Sequence, residues 1–332
     1  MQRSVPAPRI SVIITAHNRK SYLEDALKSV IGQTLDRKLY EIIVVKNFND
    51  DSLDRSLEGN GAISIFSDTE FLGLDKVLGA QAAGGNIICF LDDDDLFLPK
   101  KLETVLHFFD SYPDLVFYRN NPRFFDEMGE KGQMIRGTSR THNFLNPSYR
   151  EMKTLLEDRA AFNSSCISIR KSLIAEKLDE FASVKNVVDY YLFILACNSG
   201  KRIIADSEEL TRYRISGKLS TSRPTGNFPE FKAKTLRVKT NELHDIEAIR
   251  GIKSRVEVTK IVSCEIVYLR LHVNLLTDST DRKMLLLDGL RYVHCMLSMP
   301  SKYKPFFLAY AFAAVLDQKF VQKVLYRSSL GF

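Results

Sequence analysis

No C-x-x-C pair occurs among the five cysteines, Cys89, Cys166, Cys197, Cys264 and Cys295, and their number is odd. That disfavours a disulfide framework and a zinc site, and fits reduced, buried thiols. Long apolar runs are also missing. The longest, Phe306 to Leu316, has 11 residues, short of the ~18–20 needed to span a bilayer. It reads as a buried helix or an interfacial segment. No secretory leader is visible, because Met1 to Arg9 is polar and Pro-rich and Ile10 opens a strand-like run. These absences point to a cytoplasmic protein. Disorder is excluded by 45% apolar and 27% charged residues, and 332 residues suggest two to three structural units.

What is present begins with alternating strand and helix signals. Ile10 to Thr15 (ISVIIT) is an apolar, β-branched run expected of a buried parallel strand. Ser21 and Glu24 have capping-box spacing ahead of a helical stripe through Leu23, Ala26, Leu27, Val30 and Ile31. Strands are expected at Glu41 to Val45, Ala62 to Phe66 and Asn86 to Leu91, with helices near Asp75 to Ala83 and Pro99 to Phe109. Repeated βα units imply a mostly parallel sheet with helices on both faces, whose ligands lie beyond the carboxyl ends of the strands. Asn18, Asn47 and Asp92 to Asp95 all lie just past such ends.

The second part is mixed. Asn120 to Tyr149 reads as loop or hairpin, Asn163 to Arg170 as a strand, and Asp189 to Cys197 as a short helix closed by Asn198-Ser199-Gly200. Arg202 to Ala205 and Leu210 to Ile215 read as two strands, Gly217 to Gly226 as a loop, and the chain from Phe231 onward as helix. The expected division is 1–115, 116–228 and 229–332.

Four adjacent aspartates, Asp92-Asp93-Asp94-Asp95, follow the strand ending at Leu91. Such carboxylates repel one another and need compensation. A divalent cation with oxygen ligands, Mg2+ or Mn2+, supplies it, and also suits a diphosphate. A solvated acidic turn capping the next helix is the plain alternative.

Three segments together, ISVIITAHNR (10–19), YEIIVV (40–45) and FLDDDDLFLPKK (90–101), resemble glycosyltransferase family 2, the inverting family with the GT-A fold. The resemblance covers roughly residues 9–225. It implies an α/β GT-A sheet and transfer of a sugar from a UDP- or GDP-linked donor to a glycan or lipid-linked acceptor hydroxyl. Asp94 would be the direct metal ligand, Asp92 would hold ribose or bridge to the metal, Asp95 would support them or face the sugar, and Asp93 has the weakest claim. Thr15, His17, Asn18 and Asn47 would hold the base, with Lys76 near the phosphates. Asp189 takes the catalytic-base position, Tyr190 and Tyr191 the acceptor side, and Arg214, Lys218 and Arg223 the diphosphate. Two departures stand out. Lys46-Asn47 replaces paired acidic residues, and Val188 replaces the acidic residue before the base.

Each assignment has a bland counterpart: His17 as a loop residue, Lys76 as a helix-surface lysine, Asp189 as a helix cap, the tyrosines as core. The competing functions are an inactive sugar-nucleotide binder or scaffold, and a nucleotidyltransferase. The latter is disfavoured because Ala16 to Lys20 lacks glycine. No nucleic-acid partner is expected. Residues 231–332 carry 17 Lys and Arg against 9 Asp and Glu, a net of +8, whereas the rest is at −2. Cations flanking apolar and aromatic residues suit a helix at the cytoplasmic face of an anionic membrane. The alternative is a helical extension that packs on the catalytic domain or forms a homodimer.

Overall fold

The computed structural model describes residues 7–17, 20–132, 137–215, 227–250, 254–278, 281–298 and 305–330. The chain divides into two compact units, Met1–Ile215 and Ser216–Phe332.

The first unit opens with β1 (Ile10–Ala16), α1 (Leu23–Ile31), β2 (Tyr40–Lys46), α2 (Asp51–Gly59), β3 (Ile63–Phe66), α3 (Leu72–Ala82) and β4 (Ile87–Asp92). There follow β5 (Leu96–Phe97), α4 (Lys101–Ser111), β6 (Leu115–Asp126), β7 (Gly129–Glu130), β8 (His142–Leu145) and α5 (Tyr149–Glu157). It ends with β9 (Ile167–Arg170), α6 (Ser172–Ala175), α7 (Leu178–Ala182), α8 (Val188–Ser199) and β10 (Arg202–Arg214).

One sheet runs β3-β2-β1-β4-β9-β6-β10-β5, with β7 on β6 and β8 on β10. Its longest ladders, β1 with β2 and β4, and β6 with β10, are parallel. β9 is inserted antiparallel between β4 and β6. Register sets the site: Thr15 lies opposite both Val45 and Asp92, and Ala16 opposite Lys46. The ends of three parallel strands therefore share one edge. β1, β2 and β4 are buried along nearly their whole length, as β-branched runs covered on both faces require.

The structure differs from the sequence pattern in several places. Ser21 does not cap α1, which starts after Tyr22 without a side-chain cap. Helix α2 has only Leu57 fully buried, so its apolar stripe is weak. Asp50 starts it by accepting from Ser52 N and Leu53 N, both at 3.1 Å. Residues 120–149 hold the hairpin expected there, β6 turning after Asp126 into antiparallel β7, but add β8 and the start of α5 behind a Ser148–Glu151 capping box. The two strands expected after 202 are one, β10, whose polar middle is absorbed by register shifts between Ala205 and Thr211. Helix α8 ends at Gly200 with φ 68°, the left-handed cap glycine favours.

The second unit contains α9 (Phe228–Arg250), α10 (Val256–Leu276), α11 (Arg282–Ser298) and α12 (Pro305–Leu330). Its core includes Ile246, Ile249, Ile261, Leu269, Leu275, Leu285, Tyr292 and Val321. Carbonyls at the end of α10 are satisfied from α12: Gln318 Nε2 donates to Asn274 O (2.8 Å) and Thr277 O (2.6 Å), and Gln322 Nε2 to Leu275 O (3.1 Å). Helix α12 kinks at Asp317 (φ −144°, ψ 93°), whose carboxylate accepts from Phe320 N at 3.0 Å and so caps the second half. The apolar run 306–316 ends at this kink. Among the described residues, no helix is long and apolar enough to cross a membrane.

Helix α3 is seated by glycine. Gly73 N donates to Val184 O at 2.9 Å, and a Cβ on Gly73 would meet Phe181 O at 2.0 Å and Val184 O at 2.9 Å. Both are backbone atoms and cannot rotate away. Gly73→Ala is therefore expected to destabilise the first unit by about 1–3 kcal/mol, read as a lower urea midpoint; an unchanged midpoint would show that the α3–α7 contact yields freely.

Candidate active site

The aspartate run alternates. Asp92 and Asp94 keep partial exposure, whereas Asp93 and Asp95 are buried; the chain turns here, with Asp95 N donating to Asp92 O at 3.1 Å. Asp92 closes β4 and is compensated from three elements. Lys76 Nζ on α3 lies 3.3 Å from its Oδ1, Thr15 Oγ1 on β1 donates at 3.4 Å, and Ser164 Oγ donates to both its oxygens at 3.0 and 2.9 Å. Asp92 N donates to Ser165 Oγ at 3.0 Å.

Asp95 turns inward. Its Oδ2 accepts from Ser165 Oγ (2.6 Å) and Asn163 Nδ2 (3.2 Å), and its Oδ1 from Arg214 N (2.9 Å). Burial, and then the charges of Asp94 and Asp92, push its carboxyl well above the usual range. Of the two roles expected of Asp95, its burial and bonds match support of its neighbours rather than a face turned to sugar or acceptor. Asp93, expected among the donor contacts, is fully buried, with its N–H on Thr15 O at 3.2 Å.

Asn163, Ser164 and Ser165 belong to a tight turn leading through Cys166 into β9, placed between the ends of β4 and β6. Beneath it lies Lys101. Its fully buried ammonium donates to Asn120 Oδ1, to Ser165 O and Cys166 O (both 3.4 Å) and to Thr211 Oγ1 (3.5 Å). Burial lowers its pKa from 10.5 to about 8.

The same turn reaches Asp189 at the start of α8. Asp189 Oδ2 accepts from Asn163 N (3.0 Å) and Oδ1 from Tyr190 N (2.9 Å). Asp189 keeps some solvent exposure, yet desolvation raises its pKa from 3.8 to about 6. Those two N–H groups work against the shift, and the charge of Asp92 adds to it. Its influence on Asp189 puts Asp92 in the same site. Tyr213 lies there too: burial, then the charges of Asp95, Asp94, Asp92 and Asp189, raise its phenol pKa well above 10.

On the donor side, Asn47 Nδ2 is 3.5 Å from His17 Nε2, past the ends of β1 and β2. Lys76 is buried on Asp92 and Thr15, over the Phe90 ring, so it compensates an aspartate rather than reaching outward for a phosphate. Lys46 is likewise spent locally, on Asp54 Oδ1 (2.9 Å) and Phe48 O (2.7 Å). Arg214 stacks on Tyr22 and Phe125, and its Nε donates to Asp94 O at 3.0 Å, which holds it beside the aspartates. Tyr191 stacks flat on Phe181 at 5.1 Å and is core, not acceptor surface. Tyr190 is buried as well. Asn18, Lys218 and Arg223 lie outside the described residues.

A cation here would find Asp94 and Asp92 on the open side. Among the described residues, no group of three or more His, Cys, Asp or Glu converges in metal-holding geometry. That donor set fits a hard ion such as Mg2+ or Mn2+, which takes one or two carboxylates and fills its shell with diphosphate oxygens and water.

Sequence reasoning missed Asn163, Ser164, Ser165, Lys101 and Tyr213. Small polar residues before a short strand carry no periodic signal, and a lysine behind an aspartate run reads as surface. Asp75 was missed too: it is buried, accepts from Ser67 Oγ at 2.5 Å, and its pKa is raised by burial against the pull of Ser67, His17 and Lys76.

Ser165→Ala removes a donor from Asp95 and an acceptor from Asp92 N. It is expected to lower unfolding free energy by about 1–3 kcal/mol, the cost of stranded buried polar groups. Chemical denaturation measures this, and a change within error would mean the two aspartates are held without the serine.

The glycosyl transferase family 2 model matches residues 11–178, about half the chain. An uncharacterized glycosyltransferase of Haemophilus influenzae is 27% identical over 224 residues, which are 65% of this chain and 82% of that protein. Among solved structures, S. aureus TarS 1–349 in complex with UDP-GlcNAc aligns with a TM-score of 0.56 at 15% identity, covering 96% of this chain and 92% of that one. Mannosyltransferase PcManGT from Pyrobaculum calidifontis, in complex with GDP-Man and Mn2+, aligns at 0.55 and 15%, covering 94% and 87%. At such identities the structural likeness is one of fold, and it makes the α/β architecture a GT-A fold. The match over half the chain completes the assignment: this protein belongs to glycosyltransferase family 2 and is a glycosyltransferase.

Proposed function

We propose that the chain transfers a hexosyl group from a UDP- or GDP-linked donor to an acceptor hydroxyl in a single inverting displacement, with Asp189 as the base. One observation carries this reading. A single turn bonds Asp189 and the Asp92–Asp95 run, so a group able to take a proton near neutral pH is fixed against the carboxylates on the nucleotide side. UDP-GlcNAc and GDP-Man in the similar structures support the donor class. Residues 1–115 carry the nucleotide side and 116–228 the acceptor side.

Asp189 takes the proton of the acceptor hydroxyl as its oxygen bonds to the anomeric carbon and the sugar–phosphate bond breaks. The two backbone donors on Asp189 orient the carboxylate, and desolvation keeps it basic enough for the task. Asp94, with Asp92 beside it, would hold Mg2+ or Mn2+, which when bound offsets charge on the diphosphate. Lys76 and Ser164 fix Asp92, and Arg214 stiffens the Asp94 backbone. No covalent sugar–enzyme intermediate is needed, because the remaining carboxylates lie on the nucleotide side.

Asp189 must be ionised to act, so kcat/KM is expected to fall tenfold per pH unit below about 6 and to level off above it. Asp189→Asn should lower kcat by roughly 10²–10⁴-fold while leaving donor Kd within about twofold. Asp94→Ala or a chelator should weaken donor binding. Turnover by the Asp189 variant at the native rate, or donor affinity indifferent to chelator, would remove the base or the cation respectively.

The helical unit favours a lipid-linked acceptor. It combines the excess of Lys and Arg with exposed apolar side chains, Leu290, Leu297, Leu316 and Phe320, of which Leu297 is 79% and Leu316 85% exposed. Cations beside apolar groups match an anionic membrane surface. The full chain is expected to float with phosphatidylglycerol vesicles, less so after Leu297→Glu and Leu316→Glu. A concentration-dependent dimer that binds no vesicles would show a second copy covering these residues instead.

A further inference from the structure

Asn163 has a conformation and an atom that the fold alone does not use. Its backbone sits at φ 62°, ψ 116°, a region asparagine enters at a cost of about 1–3 kcal/mol. The residue is only 8% exposed. Its N–H serves Asp189 and its Nδ2 serves Asp95. Its Oδ1 is enclosed and accepts nothing from any described residue. A buried amide oxygen without a donor costs free energy. Nδ2 faces Asp95 Oδ2, which also accepts from Ser165 Oγ.

The surroundings indicate what the oxygen is for. Asn163 bonds the base on one side and the nucleotide-side aspartates on the other, the interval a transferred sugar ring occupies during in-line displacement. The preceding residue, Phe162, packs at 5.4 Å on Tyr213, whose phenol feels all of Asp95, Asp94, Asp92 and Asp189. An aromatic pair one residue along the chain from a fixed polar acceptor suits a sugar, which has apolar C–H faces and hydroxyl donors.

We propose that Asn163 Oδ1 accepts a hydrogen bond from a hydroxyl of the hexosyl group being transferred, making Asn163 a specificity-determining residue with Tyr213 as its aromatic neighbour. The hydroxyl parts the side chains that enclose the oxygen as the ring enters. Strain at Asn163 persists because glycine, which would relax it, has no such acceptor. This inference rests on the transferase reading above.

The test measures Kd by calorimetry, without acceptor, for UDP-GlcNAc, UDP-glucose and GDP-mannose, and for the 3-, 4- and 6-deoxy forms of whichever binds. Wild type is expected to bind one deoxy donor about tenfold more weakly. Asn163→Gly, which suits the positive φ and keeps the N–H on Asp189, should bind the parent and that deoxy donor equally, with affinity for UDP or GDP alone unchanged. Wild type indifferent to every deletion overturns the inference without any variant, and so does an undiminished penalty in Asn163→Gly. In either case turnover of the parent donor leaves the transferase reading standing. Failure of every sugar nucleotide to bind sinks that reading and this inference with it.

Discussion

Negative charge held at the edge of a sheet is the constraint around which the first unit is organised. Asp92 to Asp95 and Asp189 put five carboxyl groups in one region, and a folded chain keeps them only if each is bonded, paired or neutralised. Three different solutions appear. Asp92 is paired with Lys76 and bonded by Thr15 and Ser164. Asp95 withdraws into the protein and is held by three donors. Asp189 is held by two backbone donors, but burial dominates and its pKa climbs to about 6. The same residue type is thus ion-paired at the rim, anchored inside, or left with a raised pKa according to what surrounds it.

The turn at Asn163 to Cys166 makes these solutions compatible. Its hydroxyls and amide face the aspartate run, and one of its N–H groups faces Asp189. It is fastened from below by Lys101, which bonds the carbonyls of Ser165 and Cys166. A buried lysine is an expensive fastener, as its lowered pKa shows. Its value is geometric: one ammonium reaches residues from β6, β10 and the turn together, which fixes the approach of β9 between β4 and β6.

The sequence disclosed the parts of this arrangement that have a period or a cluster. β1, β2 and β4 are continuous apolar runs, and the Asp run at the end of β4 is conspicuous because like charges rarely adjoin without cause. Helix α8 was legible from its apolar length and its Gly200 stop. What stayed hidden depends on contacts distant in sequence. Asn163, Ser164 and Ser165 look like any small polar linker until β9 carries them to Asp92. Helix α2 has too little apolar surface to show itself. Tyr190 and Tyr191 follow Asp189 in sequence, but a helix turns successive residues by ~100°, so adjacency did not give them the same environment. Lys218, Arg223 and Asn18 lie outside the described residues, and the reading of them stays where the sequence left it.

Two departures from the family pattern make physical sense in this setting. An acidic residue before the base would raise its pKa by repulsion; Val188 is buried there instead, and exclusion of water acts in the same direction, since both disfavour the ionised form. At the end of β2, a basic Lys46 stands where an acidic residue is usual, but it turns back to Asp54 on α2 and to Phe48 O and adds no free cation to the donor side. Near His17 the buried acidic group is Asp75, delivered by α3 rather than by β2. Both departures are thus absorbed by local packing: a buried valine stands beside Asp189, and Lys46 is turned away onto α2.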